Sequence, residues 1–207
     1  SLPPEGARSA LGRPGGGAPA PTLAASHAPL PPEGARSALG RLGGGASSVT
    51  PWPRTRIKIC GLTREQDVDA AVAAGADAVG FNLYPASARH VSIERAAELA
   101  RRLPPMVTPV LLFVDADAID IIAASACVPG ATLQFHGDES AEDCAAVARR
   151  CQRPYWRAAR IPTHGGAPFD LVRFAHSFAT AQAILLDAHV DGFGGGGKTF
   201  DWSGLPP

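Results

Sequence analysis

Short apolar runs alternate with longer amphipathic segments along the chain from Arg56 onward. Six runs of four to seven residues are rich in Val, Ile, Leu, Phe and Ala, which predicts six short strands buried mostly on both faces. The runs are residues 57–62, 78–83, 109–114, 132–135, 155–161 and 183–188. The segments between them carry apolar residues at helical spacing, as at Ile93, Ala96, Ala97 and Ala100.

Two helix starts are predicted by local signals. Thr63 stands three residues before Gln66, the spacing of a capping box, and Ser92 directly precedes a helical pattern. Strands that alternate with helices indicate a parallel sheet, and strands spaced by about 20 to 30 residues suit a (β/α) barrel. The expected fold class is therefore α/β, of the (β/α)8 TIM barrel family, with about six of the eight βα units present.

The first 53 residues have a different composition from the rest. Residues 2–13 recur almost unchanged at 30–41, and each copy runs into Gly-Gly-Gly-Ala. Such Pro, Gly, Ala and Ser tracts bury too little apolar surface to offset chain entropy. We expect residues 1–53 to be a disordered, low-complexity extension and residues 54–207 to form the partial barrel. An alternative is a tail that binds a partner through its four arginines.

Composition narrows the function classes. Of 207 residues, 45% are hydrophobic and the formal net charge is zero, so nothing favours nucleic acid or an anionic membrane surface as a partner. No apolar run approaches the roughly 18 residues that cross a bilayer. The four cysteines form no CxxC pair and follow no secretory segment, which favours a reducing cytoplasm.

Polar side chains cluster where the predicted strands end, which is the rim that carries the chemistry in (β/α) barrels. Cys60 ends the first strand and Asp187 ends the sixth. A thiol and a carboxylate at one rim are a candidate base and acid. Without the surrounding motifs, a cysteine such as Cys60 is more often a small buried hydrophobe, and an aspartate such as Asp187 is more often a turn or cap residue. Asp138 and Glu139 are expected to start the helix after the fourth strand.

Five ordered motifs resemble the phosphoribosylanthranilate isomerase family. They are Lys-Ile-Cys-Gly-Leu at 58–62, Tyr-Pro-x-Ser-x-Arg at 84–89, Leu-Gln-Phe-His-Gly-Asp-Glu at 133–139, Leu-Leu-Asp at 185–187 and Gly-Gly-x-Gly-Lys-Thr-Phe-Asp-Trp at 194–202. The resemblance implies an Amadori rearrangement of N-(5-phosphoribosyl)anthranilate, a small phosphorylated substrate, in tryptophan biosynthesis. It also implies that no cofactor or metal takes part.

The resemblance implies roles for particular residues. Cys60 would be the general base and Asp187 the general acid, with its pKa raised by desolvation at the barrel mouth. Since a thiol must ionise to accept a proton, a positive field is expected near Cys60. Arg89 would bind the anthranilate carboxylate, unless it is only a solvated surface charge. Further substrate contacts are expected from Gln134, His136, Gly195, Gly197 and Lys198, although His136 could be only a rim residue and Lys198 only a lid residue.

The glycine-rich segment also fits a different function. Residues 192–199 match the P-loop pattern GxxxxGKT of nucleotide-binding proteins. A P-loop, however, leads from a strand directly into a helix, and the residues after Thr199 leave no room for one. A lid over the barrel mouth is the favoured interpretation. A different isomerase or aldolase on this fold, and a non-catalytic binding remnant, stay open.

The length predicts an incomplete barrel. Residues 56–207 number 152, whereas eight βα units need roughly 200. We therefore expect a C-terminally truncated family member without strands seven and eight, which commonly supply the phosphate site. Little isomerase activity and self-association through open sheet edges are the expected consequences.

Overall fold

A computed structural model of the chain describes residues 54–163, 169–189, 199–200 and 202. Within the unit Pro51–Pro207, strands and helices alternate in the order that the hydrophobic pattern predicts. The predicted extension at 1–53 lies outside the described residues. The elements are β1 (Lys58–Cys60), α1 (Glu65–Ala73), β2 (Ala78–Asn82), α2 (Ile93–Ala100), β3 (Thr108–Phe113), α3 (Ala118–Cys127), β4 (Thr132–Phe135), α4 (Ala141–Cys151), β5 (Tyr155–Pro162), α5 (Leu171–Ser177) and β6 (Ala183–His189).

The strands form one parallel sheet in the order β1-β2-β3-β4-β5-β6. Each strand pairs with the next along the chain, so each crossover contains one helix. This arrangement confirms the predicted βα topology, and the predicted strand bounds are correct to within two residues. Sequential parallel order is the order of a (β/α) barrel, and it places all strand carboxyl ends at one rim.

The two faces of the sheet have different roles. One register row runs through Phe81, Leu111, Leu133 and Tyr155, and these side chains are buried in the core between sheet and helices. Side chains alternate between faces along a strand, so the neighbouring row lies on the opposite, inner face. That row contains Gly80, which is in register with Cys60. The inner face therefore includes the end of β1, where the candidate base lies.

The outer strands are less buried than predicted. Strands β2 and β4 are buried throughout, whereas β1 and β6 are mostly half-buried. Ile57 and Ile59 are 46% and 38% exposed. The prediction of six strands buried on both faces is wrong for β1 and β6, because within the described residues each pairs with a single neighbour.

Helix starts confirm one predicted cap and correct another. Ser92 accepts a hydrogen bond from the backbone N of Arg95 and caps α2. The prediction for Thr63 is wrong, because α1 begins after Arg64 without a side-chain cap. The helix after β4 begins at Ala141, and Ser140 caps it.

No helix in the described part of the chain is long and apolar enough to cross a membrane.

Candidate active site

Cys60 lies at the carboxyl end of β1 and is half-buried. Gly61 follows it with φ of +81°, a left-handed conformation in which glycine avoids the strain of a side chain, and the chain leaves the strand there. Across the sheet, a Cβ on Gly80 would lie 2.9 Å from Cys60 Sγ and 3.2 Å from Lys58 Nζ. The thiol and the Lys58 ammonium therefore share the inner face, which agrees with the positive field predicted near Cys60.

The other cysteines have different environments. Cys144 is fully buried in α4, and burial raises the pKa of its thiol to about 12. Cys127 is exposed at the end of α3. A thiol that rarely ionises cannot act as a base, so Cys144 is a core residue.

Arg89 lies beside Cys60, which the linear sequence does not require. Its Nη1 donates a 2.8 Å hydrogen bond to the Cys60 carbonyl oxygen. A Cβ on Gly61 would lie 2.6 Å from this nitrogen, so only glycine permits the approach. The loop that carries Arg89 is shaped by Asn82, whose Nδ2 donates to Ser87 Oγ at 2.9 Å. The guanidinium is exposed at the rim, where a carboxylate could reach it.

Gln134, His136 and Asp187 form a hydrogen-bonded chain at the same rim. Gln134 Nε2 lies 3.1 Å from His136 Nδ1, and His136 Nε2 lies 2.9 Å from Asp187 Oδ2. If the amide nitrogen donates to Nδ1, the imidazole proton is on Nε2 and is donated to the carboxylate. Gln134 is 2% exposed, and among the described residues its Oε1 has no hydrogen-bond partner. His136 therefore contacts the candidate acid directly.

The pKa of Asp187 is lowered, contrary to the sequence-based expectation. The hydrogen bond from His136 is the main cause, and it outweighs the desolvation that would raise the pKa. Arg160 on β5 adds a smaller lowering. Desolvation alone was the basis of the prediction, and the predicted direction is wrong because His136 donates to the carboxylate.

The strand register places the candidate acid and base on one face of the sheet. Register pairs connect Cys60 to Gly80 and continue through β3, β4 and β5 to Gln134 and Asp187 at even spacings. Within the described residues β1 and β6 are the outermost strands of the sheet; Cys60 ends β1, and Asp187 lies near the carboxyl end of β6, which ends at His189. The predicted contacts Gly195, Gly197 and Lys198 lie outside the described residues.

Four charged residues in β5 and in the segment after β4 were not predicted as a functional cluster. Arg160 forms an ion pair with Asp138, and Arg157 forms one with Glu139 at 3.3 Å. Asp138 and Glu139 precede the N-cap of α4, so the prediction that they start the helix is wrong. The available signal was a pair of arginines inside an otherwise apolar strand, since buried arginine requires a partner.

In the described part of the chain, no group of three or more His, Cys, Asp or Glu side chains could hold a metal ion.

The parallel sheet, its helices and a rim with a thiol, an imidazole and a carboxylate define a (β/α) barrel protein equipped for acid–base chemistry. The family model described as N-(5'phosphoribosyl)anthranilate (PRA) isomerase matches residues 57–207. The chain belongs to this family.

Individual relatives agree with this assignment. The chain is 60% identical over 153 residues to N-(5'-phosphoribosyl)anthranilate isomerase of Leptothrix cholodnii, covering 74% of this chain and 66% of the relative. The corresponding protein of Methylibium petroleiphilum is 62% identical over 153 residues, with 74% and 68% covered. The chain thus spans about two thirds of the length of these curated relatives.

Solved structures show the same fold. The phosphoribosyl anthranilate isomerase of Thermotoga maritima superposes with a TM-score of 0.62 at 37% identity, covering 72% of this chain and 69% of that one. A second structure of such an isomerase is a complex with reduced 1-(o-carboxyphenylamino)-1-deoxyribulose 5-phosphate. It superposes with a TM-score of 0.57 at 34% identity, with 66% of each chain covered.

Proposed function

We propose that this chain is a phosphoribosylanthranilate isomerase, which converts N-(5-phosphoribosyl)anthranilate into 1-(2-carboxyphenylamino)-1-deoxyribulose 5-phosphate. The observation that carries the proposal is the family match over 57–207, which includes Cys60 at the carboxyl end of β1 and Asp187 near the carboxyl end of β6. The related structure in complex with a reduced phosphorylated compound supports the same substrate class.

The reaction needs one acid and one base. Protonated Asp187 donates its proton to the ring oxygen of the substrate while the bond between that oxygen and C1 breaks, and the nitrogen lone pair forms an iminium. The Cys60 thiolate then removes the proton from C2, which gives an enol conjugated to the nitrogen. Tautomerisation moves the enol proton to C1 and leaves the ketone. The substrate and product are isomers, so no oxidant or reductant is consumed.

Asp187 must gain a proton before it can act as the acid. In the unliganded site the hydrogen bond from His136 lowers the pKa of Asp187. A bound substrate excludes water and brings a carboxylate and a phosphate toward the rim, and both effects raise the pKa of a nearby carboxyl group. Substrate binding therefore prepares the acid by drawing a proton onto Asp187, and His136 can remain its hydrogen-bond partner in either state.

Arg89 is the proposed partner of the anthranilate carboxylate. Its guanidinium is exposed beside the Cys60 carbonyl, so a carboxylate bound there would lie next to the base. A planar guanidinium pairs with a carboxylate through two parallel hydrogen bonds. Gln134, Gly195, Gly197 and Lys198 stay predicted substrate contacts.

The test compares single substitutions with matched controls. Loss of substrate is followed through the fluorescence of its anthranilate group in the purified full chain and in Cys60→Ala and Asp187→Asn. Exposed residues of the same types provide the controls Cys127→Ala and Asp120→Asn. We expect each site variant to lose at least about 100-fold in turnover, and the controls to keep the activity of the parent chain. Activity that survives both site substitutions would overturn the assigned mechanism.

The same assay separates catalysis from mere binding. The length-based prediction of little activity stays a prediction, and the parent chain's kcat decides it. If turnover is absent while the reduced product analogue still quenches or enhances intrinsic fluorescence on titration, the chain is a binding remnant of the family. Binding of ATP in place of that analogue would instead favour the P-loop alternative.

We also infer self-association and a cytoplasmic location. Ile57, directly before β1, and Ile59, within it, are partly exposed, and apolar strand edges of this kind pair with other chains. Sedimentation of the parent chain against Ile59→Lys tests this, because a lysine on the edge should reduce the associated fraction. The four cysteines are free thiols, which supports a reducing compartment.

A further inference from the structure

A buried ion pair lies on the helix-covered face of the sheet, behind the rim. Arg157 in β5 and Glu139 after β4 have side chains that are 6% and 8% exposed, with 3.3 Å between Arg157 Nη1 and Glu139 Oε2. The guanidinium also lies 4.9 Å from the centroid of the Phe178 ring. Neither residue has a role in the acid–base chemistry proposed above.

Arg157 holds the peptide groups on both sides of His136. Its Nη1 donates to the Phe135 carbonyl oxygen at 3.1 Å, and its Nη2 donates to the Gly137 carbonyl oxygen at 2.9 Å. The two acceptors are the residues immediately before and after His136. Two parallel donors in a rigid plane are the property that distinguishes arginine from lysine.

Glu139 holds the same segment from the other side. Its Oε2 accepts from the backbone N of Gly137 at 2.9 Å, and its Oε1 accepts from the backbone N of Asp115 at 2.9 Å. The backbone N of His136 in turn donates to the Phe113 carbonyl oxygen at 2.9 Å. The backbone on each side of His136 therefore has a fixed partner, and these partners connect the ends of β3, β4 and β5.

Stability alone is a weak explanation for this arrangement. Burial raises the pKa of the Glu139 carboxyl, since desolvation outweighs the backbone donors and the Arg157 charge. Well-packed apolar residues in place of a buried ion pair are often as stable or more stable. A purely apolar pair, however, could not bind the carbonyl and N–H groups around His136. The chemistry of the pair suits positioning better than it suits stability.

We infer that Arg157 and Glu139 are positioning residues that fix His136 against Asp187. The inference rests on the proposed function, in which Asp187 is the acid, but its physical content is the geometry of the His136–Asp187 hydrogen bond. Arg157 does not touch the reacting atoms, so it acts only through the rim segment that contains His136.

The test uses a readout that does not require turnover. The Asp187 carboxyl carbon is titrated by 13C NMR in the full chain, in Arg157→Lys and in the control Arg102→Lys, where the exchanged arginine forms an exposed ion pair with Asp69. Lysine keeps the positive charge but has one donor nitrogen in place of the two that bind the Phe135 and Gly137 carbonyl oxygens. Among the described residues, the titratable or charged side chains that lower the pKa of Asp187 are His136, directly after β4, and Arg160 in β5. Arg160 forms an ion pair with Asp138, and neither Arg157→Lys nor Arg102→Lys changes a member of that pair.

We expect Arg157→Lys to move the Asp187 titration upward, toward the ordinary carboxyl range, and Arg102→Lys to leave it in place. His136→Asn should produce the same upward movement, and Arg157→Lys should add little in that background, because coupled residues give non-additive effects. An unchanged Asp187 titration in folded Arg157→Lys, or full additivity with His136→Asn, would overturn the inference. If Arg157→Lys does not fold, Glu139→Gln is measured in the same way and decides the question.

Kinetics distinguish this inference from the proposed function. If the chain turns over substrate, Arg157→Lys should lower kcat by about 10- to 100-fold, as expected for a displaced catalytic group, with KM little changed. A parent chain without turnover whose Asp187 titration still responds to Arg157→Lys would refute the proposed function and leave the positioning role intact. A parent chain that turns over substrate, but whose Asp187 titration does not respond to Arg157→Lys, would support the proposed function and refute the positioning role.

Discussion

Gly80 leaves space for the thiol of Cys60, and a single methyl group should close it. A Cβ on Gly80 would lie 2.9 Å from Cys60 Sγ and 3.3 Å from Cys60 Cα. Unstrained contacts between heavy atoms lie at about 3.5–4.0 Å, so the sulfur must retreat by about 0.6–1 Å. Since a displacement of about 1 Å can lower a rate about 100-fold, we expect Gly80→Ala to lower kcat by about 10- to 100-fold.

The same substitution should affect folding much less. Gly80 is not among the glycines with positive φ, so its backbone accepts alanine. Loss of glycine freedom in the unfolded chain stabilises by about 0.4–1 kcal/mol, and overpacking costs about 1–3 kcal/mol. We therefore expect the free energy of unfolding to fall by about 0–2.6 kcal/mol.

Two assays and one control test this reasoning. Steady-state kinetics give kcat, and iodoacetamide labelling of Cys60, measured by mass spectrometry against exposed Cys127, reports the thiol without requiring turnover. We expect slower labelling of Cys60 in Gly80→Ala because the methyl group covers one side of the sulfur. Gly75→Ala is the control, because Gly75 has a φ of +85° and a Cβ there would meet no atom within 4 Å. This variant should lose about 1–2 kcal/mol of stability and keep its activity. A folded Gly80→Ala protein with the parent's kcat and labelling rate would refute the argument.

Three further predictions concern the pKa of Asp187, a helix cap and a buried thiol. His136→Asn should raise the pKa of Asp187, which the His136 hydrogen bond lowers in the parent chain. A lowered carboxyl pKa stabilises the folded state at pH values above the ordinary carboxyl pKa, near 4, and this stabilisation is lost as the pH falls. The difference in free energy of unfolding between parent and variant, measured in urea, should therefore shrink below about pH 4, and a constant difference would contradict this. Ser92→Ala should lower the free energy of unfolding by about 0.5–2 kcal/mol, because it removes the cap of α2. Thr63→Ala should change it by less than about 0.5 kcal/mol, because Thr63 does not cap α1. Equal losses would be inconsistent with the observed caps. Cys144, with its pKa raised to about 12 by burial, should be alkylated at least about 100-fold more slowly than an exposed cysteine in the native protein, and rapid labelling there would show that α4 opens.

Much of the fold follows from local patterns. Runs of apolar residues marked all six strands because a parallel sheet covered by helices must bury its strands. The Ser92 cap was predicted because a cap depends on one side chain and the next three residues. Thr63 failed as a cap although the spacing to Gln66 was correct. The chain leaves β1 through Gly61 in a left-handed conformation, and α1 then begins one residue later than the pattern indicates.

The sequence predicted which residues belong to the candidate site better than it predicted the contacts between them. Cys60, Arg89, Gln134, His136 and Asp187 were identified from motifs at strand ends, and the described residues bring Arg89 to Cys60 and His136 to Asp187. The direction of the Asp187 pKa shift could not be predicted, because it depends on whether a donor 51 residues away reaches the carboxylate.

The sequence by itself determined the alternation of strands and helices, the rim positions of the candidate acid and base, and the family to which the chain belongs. These features depend on side-chain periodicity and short motifs, which are local along the chain. Only the tertiary structure decided that Asp187 is a hydrogen-bonded carboxylate with a lowered pKa, and that Arg157 and Glu139 bind the backbone around His136. Such properties arise from groups on different strands that meet within about 3 Å, and hydrogen bonding at that range is set by the register and packing of the sheet.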